Sequence, residues 1–168
     1  TATYGDTDKK VEGTTDGNGA ISYAVKEGSA DYIDVDSSTG ALTIKKVGTA
    51  TVIVTAAETA TYAQATKEVT VTISKANSTV TKAPEAKTLT YTGSAQALVN
   101  AGEATGGTMN YAVTTENTAP TDENLYTTSI PTANDAGTYY VWYKVKGDAN
   151  HNDTVELNVK VLIDKADI

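Results

Sequence analysis

The chain has 168 residues, with 13 Lys and Arg against 21 Asp and Glu, a formal net charge of -8 and no cysteine. That acidity opposes phosphate backbones and so excludes nucleic acid as an expected partner, while the lack of thiols excludes a disulfide framework and a thiolate metal site. No apolar run is long enough for a membrane helix, and the opening "TATYGDTDKK" lacks the basic start and apolar stretch of a signal peptide, so no membrane insertion is expected of this stretch.

The 10 tyrosines, the absence of Phe and the recurrence of Thr and Val lean the composition towards strand, because β-branched and aromatic residues suit a pleated, half-buried surface. In chain order, "TATYGD" reads as a first strand, and "TDGNG" and "SSTG" as turns. From Gly48, "GTATVIVTA" alternates with period two. The polar connector "AETATYAQATK" follows; its Ala-rich part is interrupted by Thr too often for a helix. Val69, Val71 and Ile73 then alternate with Glu68, Thr70 and Thr72, which predicts a strand with one buried face paired to the preceding run in an antiparallel hairpin.

"NSTVTKAPEAK" (77–87) reads as a short, partly stiff linker, since Pro84 extends the path at Ala83 and removes one backbone donor. Beyond it come the turn "TGG", a long stretch "TTENTAPTDENLYTTSIPTANDAG", and a second alternating run, "GTYYVWYKVKG", from Gly137. The polar turn "DANHNDT" leads into a final run in which Val155, Leu157, Val159, Val161 and Ile163 alternate with Glu156, Asn158 and Lys160.

The two halves repeat one another. "YAV" at Tyr23 and at Tyr111 lie 88 residues apart, Gly48 and Gly137 lie 89 apart, and Ile73 and Ile163 lie 90 apart. Landmarks that keep both order and spacing mark a tandem duplication, with units 1–76 and 77–168. Short strands with turn signals between them predict an all-β chain of two sandwiches. The closing phrase "ISKAN" at Ile73 recurs as "IDKAD" at Ile163, so these residues are expected to be a piece of a longer array.

"DSSTGALTIKKVGTATVIVTA" (36–56) resembles the bacterial immunoglobulin-like domain of group 2, and "DAGTYYV" (135–141) resembles the Asp-x-Gly-x-Tyr-x-Cys stretch of immunoglobulin domains. From "YTGSAQAL" through "GDANHND" the second unit is similar to repeats of large surface proteins of Gram-positive gut bacteria. The resemblance implies two tandem immunoglobulin-like β-sandwich modules, cell-wall attached or extracellular, acting as a stalk or in adhesion. The implied partners are neighbouring modules of the same chain and a host protein or glycan, with no cofactor and no catalytic residue. Tyr139 would be the tyrosine-corner residue, and Val141 stands where the disulfide cysteine would be. Val52, Val71, Tyr139, Val141 and Val159 are the expected core positions that stabilise the modules.

If Tyr139 and Val141 point inward, alternation puts Tyr140, Trp142, Lys144 and Lys146 on the outer face. An exposed Tyr140 and Trp142 would form a sugar-stacking or protein-anchoring patch, as in a carbohydrate-binding accessory module of a secreted glycoside hydrolase; the other reading is that the longer loop or the adjacent module covers Trp142. Asp148, Asn150 and Asn152 begin like a calcium loop, but Asp153 and Val159 stand where Gly and Glu are needed, so a simple turn is the better reading. The single His151 sits in the same turn with no Ser brought to it. Some surface modules also carry a Lys-to-Asn crosslink; Lys144, Lys146, Lys160 and Asn158 all lie on the polar side of their strands.

Overall fold

The computed structural model describes residues 1–167 and divides into two compact units, the first Thr1–Ala76 and the second from Asn77 onward. The only helical turn among the described residues is a single 3-10 turn at Glu123–Leu125.

The first unit contains β1 (Ala2–Thr3), β2 (Ile21–Val25), β3 (Ile33–Val35), β4 (Leu42–Ile44), β5 (Gly48–Ala56) and β6 (Ala65–Ser74). Its main sheet is ordered β1-β6-β5-β2. β5 is antiparallel to both neighbours, whereas β1 runs parallel to β6, with Ala2 opposite Ile73 and Thr3 opposite Ser74. β3 and β4 pair antiparallel, and a bridge between Lys10 and Ala41 adds to that facing layer. Alternation decides what lies between the layers: Ala50, Val52 and Val54 of β5 are buried, and so are Val71 and Ile73 of β6, while Thr49, Thr70 and Thr72 point away. Val11, Tyr23, Ile33 and Leu42 complete the core. Gly48 opens β5 with a φ of +146°, and any side chain there would strike the Tyr32 ring, which explains glycine at this landmark.

A two-residue strand, β7 (Ala76–Asn77), lies at the join. The second unit continues with β8 (Thr79–Lys82), β9 (Glu85–Ala86), β10 (Leu89–Thr90), β11 (Gln96–Ala97), β12 (Val99–Asn100) and β13 (Glu103–Thr105). It ends with β14 (Gly107–Thr114), β15 (Thr132–Ala133), β16 (Gly137–Gly147), β17 (His151–Asn152) and β18 (Leu157–Asp164). The main sheet repeats the first unit's order as β10-β18-β16-β14, again with the early strand parallel to the last, Leu89 opposite Ile163 and Thr90 opposite Asp164. The facing layer is assembled from three short antiparallel pairs, β8 with β13, β9 with β12 and β11 with β15. Leu98, Val141, Val145, Val161 and Ile163 form the centre of the core and are at most 1% exposed.

The repeat has a structural counterpart in the "YAV" tyrosines. The Tyr23 hydroxyl accepts a hydrogen bond from the Gly13 amide at 3.0 Å, and the Tyr111 hydroxyl accepts one from the Gly102 amide at 2.9 Å. Each tyrosine thus ties its sheet to the chain crossing opposite it, and leaves a buried polar group satisfied.

Two expectations change. Residues 77–87 are not a free linker: β8 and β9 are paired strands of the second unit, and Pro84 falls between them, where its missing N–H interrupts no strand. The last strand starts at Leu157 and not at Val155, because Leu157 is the final residue paired with β16. Val155 is 76% exposed and Leu157 50%, since both lie past the end of the core.

Candidate functional site

The aromatic strand β16 serves both faces of its sheet. On the inner face the Tyr139 hydroxyl donates to the Asp135 carbonyl at 2.9 Å, forming the tyrosine corner, and Val141 is fully buried. Of the other core positions expected from the sequence, Val52 and Val71 are buried, and Val159, like Tyr139, packs against the core while half-buried.

On the outer face the parity is as expected, and of the two readings of Trp142 the covered one holds. Trp142 is only 8% exposed, and its indole N–H donates to Thr114 Oγ1 at 2.9 Å. With Ala112, Tyr126, Ala119 and Tyr140 it makes a second, small apolar cluster, because the segment from Asn117 to Tyr126 folds over the outside of the sheet. Lys144, read as an outward cation, is 6% exposed; it pairs with Glu123, and its ammonium lies 4.2 Å from the centre of the Tyr126 ring. The 3-10 turn that carries Glu123 is capped by Asp122, whose carboxylate accepts the Asn124 amide at 3.0 Å. Tyr140 and Trp142 therefore do not form an exposed stacking platform. The covering loop gives that face a roof, and Tyr140 is half-buried beneath it.

Roofing has an electrostatic consequence. The Tyr126 hydroxyl is buried without a hydrogen-bond partner, and its pKa is pushed up, first by burial and then by Glu156 and Glu123. Asn158, one of the crosslink candidates, donates to Asn117 Oδ1 at 3.1 Å, while Lys146 lies 3.8 Å from Asp153. Both contacts are ordinary polar pairings of an outer face.

The calcium candidates make the bonds of a turn. Asp148 Oδ1 accepts the Asn150 amide at 2.8 Å and faces His151 Nδ1 at 2.7 Å, contacts that hold its carboxyl below the usual aspartate range, the imidazole first. Asn152 donates its side-chain amide to Asn77 Oδ1 at 3.2 Å, and Asp153 Oδ1 accepts the Gly147 amide at 2.8 Å. Among the described residues no three His, Cys, Asp or Glu side chains converge on a metal-sized point. The Asp36 turn is built the same way, its Oδ1 accepting from the Ser38 amide at 3.0 Å and the Thr39 amide at 2.7 Å.

Sequence reasoning missed Glu123 and Tyr126, which roof the outer face, and Tyr62, the most exposed aromatic at 54%. The one available signal for the roof was the "LY" at residues 125–126 inside an otherwise polar insert.

Strand order and the parallel pairing of first with last sheet strand, common to both units, and the tyrosine corner of the second define the class: both units are immunoglobulin-like β-sandwiches. No protein-family model matches the chain. No curated protein matches it in sequence. Among solved structures, it is similar to Drosophila N-cadherin EC1-4 at 15% identity and a TM-score of 0.37, covering 96% of this chain but 45% of that one. It is also similar to human protocadherin-24 EC1-2 (14% identity, TM-score 0.36, 96% of this chain and 90% of that one). A third likeness is to the Clostridium thermocellum CbhA fibronectin(III)-like modules (12% identity, TM-score 0.34, 90% and 83%). Likeness at this level says nothing of function.

Proposed function

We propose that the chain is a non-catalytic pair of modules from a bacterial cell-surface or secreted protein, working as a stalk or spacer within an array and contributing to adhesion of the parent protein to a host protein or glycan. The observation that carries this reading is the parallel pairing of the first sheet strand with the last in each unit. When a chain is pulled from both ends, such a pair is loaded in shear, so its hydrogen bonds resist together instead of opening one at a time. Equivalent bonds stand in the two units: the Tyr4 amide donates to the Ser74 carbonyl at 2.9 Å, and the Tyr91 amide to the Asp164 carbonyl at 2.8 Å. A cysteine-free core that holds without disulfides and the resemblance of residues 36–56 to bacterial surface modules support the same reading.

Single-molecule stretching tests it. Tyr91→Pro removes the donor of the second unit's shear bond. Its unfolding force is expected to drop while the first unit's force stays as an internal standard; equal forces before and after the substitution would defeat the load-bearing reading. The alternative, a carbohydrate-binding accessory module resting on Tyr140 and Trp142, loses support because Trp142 lies under the loop.

A further inference from the structure

The aromatic patch expected on the second unit has a counterpart on the first. Tyr62 stands in the connector between β5 and β6 with more than half of its surface in solvent. Its backbone is pinned in a tight turn: the Thr59 amide donates to the Tyr62 carbonyl at 2.8 Å, and the Tyr62 amide to Thr59 Oγ1 at 3.0 Å. The ring rests against Gly17, where a β-carbon would come 3.1 Å from Tyr62 Cδ2. Gly17 is fixed in turn by the hydrogen bond that its amide donates to Thr15 Oγ1 at 3.2 Å. The turn therefore fixes the backbone that carries a large amphipathic ring and Gly17 leaves room for that ring, which lowers the ordering cost of a contact.

The ring borders a cleft. Two depressions of about 250 and 260 Å³ adjoin through shared walls at Thr15, Ala56 and Ala65. Tyr62 and Asp16 line the first, while Glu12, Thr66 and Lys67 line the second above the apolar side chains of Ile21, Val54 and Val69. The lining thus offers hydroxyl, carboxylate and ammonium groups beside an aromatic ring. A pyranose needs that combination, since its C–H face stacks on an aromatic and its hydroxyls both donate and accept. The Ala57 amide is already bonded to the Ala20 carbonyl, so the cleft wall does not offer that donor to an added peptide strand. Carboxylates and an ammonium side by side give no strong preference for a charged ligand.

We propose that this cleft of the first unit binds a neutral glycan, one sugar ring stacking on Tyr62 and the next engaging Glu12, Thr66 and Lys67. The site is independent of the stalk reading: force resistance lies in the strand pairs, and sugar binding in the connector.

The test is NMR titration of the isotope-labelled full chain with cellotetraose, xylotetraose and tri-N-acetylchitotriose, with tetragalacturonate as the charged comparison. At least one neutral oligosaccharide is expected to give saturable shifts at residues 15–19 and 56–67 by about 10 mM, a concentration that saturates even a millimolar site. Tyr62→Ala is expected to weaken binding at least about tenfold, and Tyr62→Phe to stay within about threefold because stacking does not need the hydroxyl. Unchanged signals from the second unit report that each variant is folded, and saturation transfer from sugar to the Tyr62 ring gives a reading that needs no variant. No cleft shift with any of the three neutral sugars would overturn the proposal. So would undiminished binding by Tyr62→Ala, or a response to tetragalacturonate alone.

Discussion

At the scale of single residues, the side chains that hold this chain together spend polar groups on their own backbone. Tyr139 is the clearest case. Its hydroxyl bonds the Asp135 carbonyl four residues upstream while its ring packs on the core, so Tyr139→Phe keeps the packing and removes only the bond. Urea denaturation is expected to show a loss of about 1 kcal/mol, the usual net worth of one such bond. Asp36 makes a pH-dependent contribution of the same kind. Bonds from the Thr39 amide, the Thr39 hydroxyl and the Ser38 amide hold its pKa below the ordinary aspartate value. A carboxylate depressed by folding stabilises above its unfolded pKa and ceases to do so as the pH falls through its lower folded value. The gap in Tm between the native chain and Asp36→Ala should therefore be full at neutral pH, and should close as the pH drops below about 4. A gap independent of pH would show that the turn's backbone, and not the charge, matters.

At the scale of elements, the two units differ most in the segment that in the second unit joins β14 to β15. In the first unit the corresponding stretch contains β3, whose Ile33 is fully buried in the core. In the second unit, the segment from Asn117 to Tyr126 instead crosses to the outer face and buries Trp142 with Tyr126, fastened by Lys144 and Glu123, before Ile130 returns to the inner core. Glu123→Gln weakens that fastening and leaves a buried ammonium with a poorer partner. The expected readout is Trp142 fluorescence: blue-shifted and quencher-resistant in the native chain, redder and more accessible in the variant. Native-like emission in the variant would mean that apolar packing alone keeps the roof closed. Period-two alternation correctly assigned Trp142 and Lys144 to the outer side of β16, because parity is a local property of a strand. Whether anything covers that side depends on the path of a distant loop, which parity does not encode. For the same reason "NSTVTKAPEAK" read as a linker, since β8 and β9 become strands only through partners 13 to 26 residues further on, from Ala86 with Val99 to Thr79 with Thr105. Tyr62 escaped notice because its exposure comes from turn bonds at Thr59 and from Gly17, not from any pattern around it.

At the scale of the whole molecule, the cores share no residue: one is centred on Val52, Val71 and Ile73, the other on Val141, Val145 and Val161. Removing a fully buried valine side chain costs about 2 kcal/mol. Calorimetry of Val52→Ala and Val141→Ala is therefore expected to lower two different transitions, one per substitution. A single transition shifted equally by either would show that the units melt as one. The strand order also governs when each unit can form. β6 and β18 come last in their units yet lie inside their sheets, β6 between β1 and β5 and β18 between β10 and β16. Until that strand is synthesised the sheet has a gap at its centre, and the apolar faces of the earlier strands have no complete core to close on. A unit emerging N-terminus first from a ribosome thus cannot complete its main sheet until its closing phrase arrives.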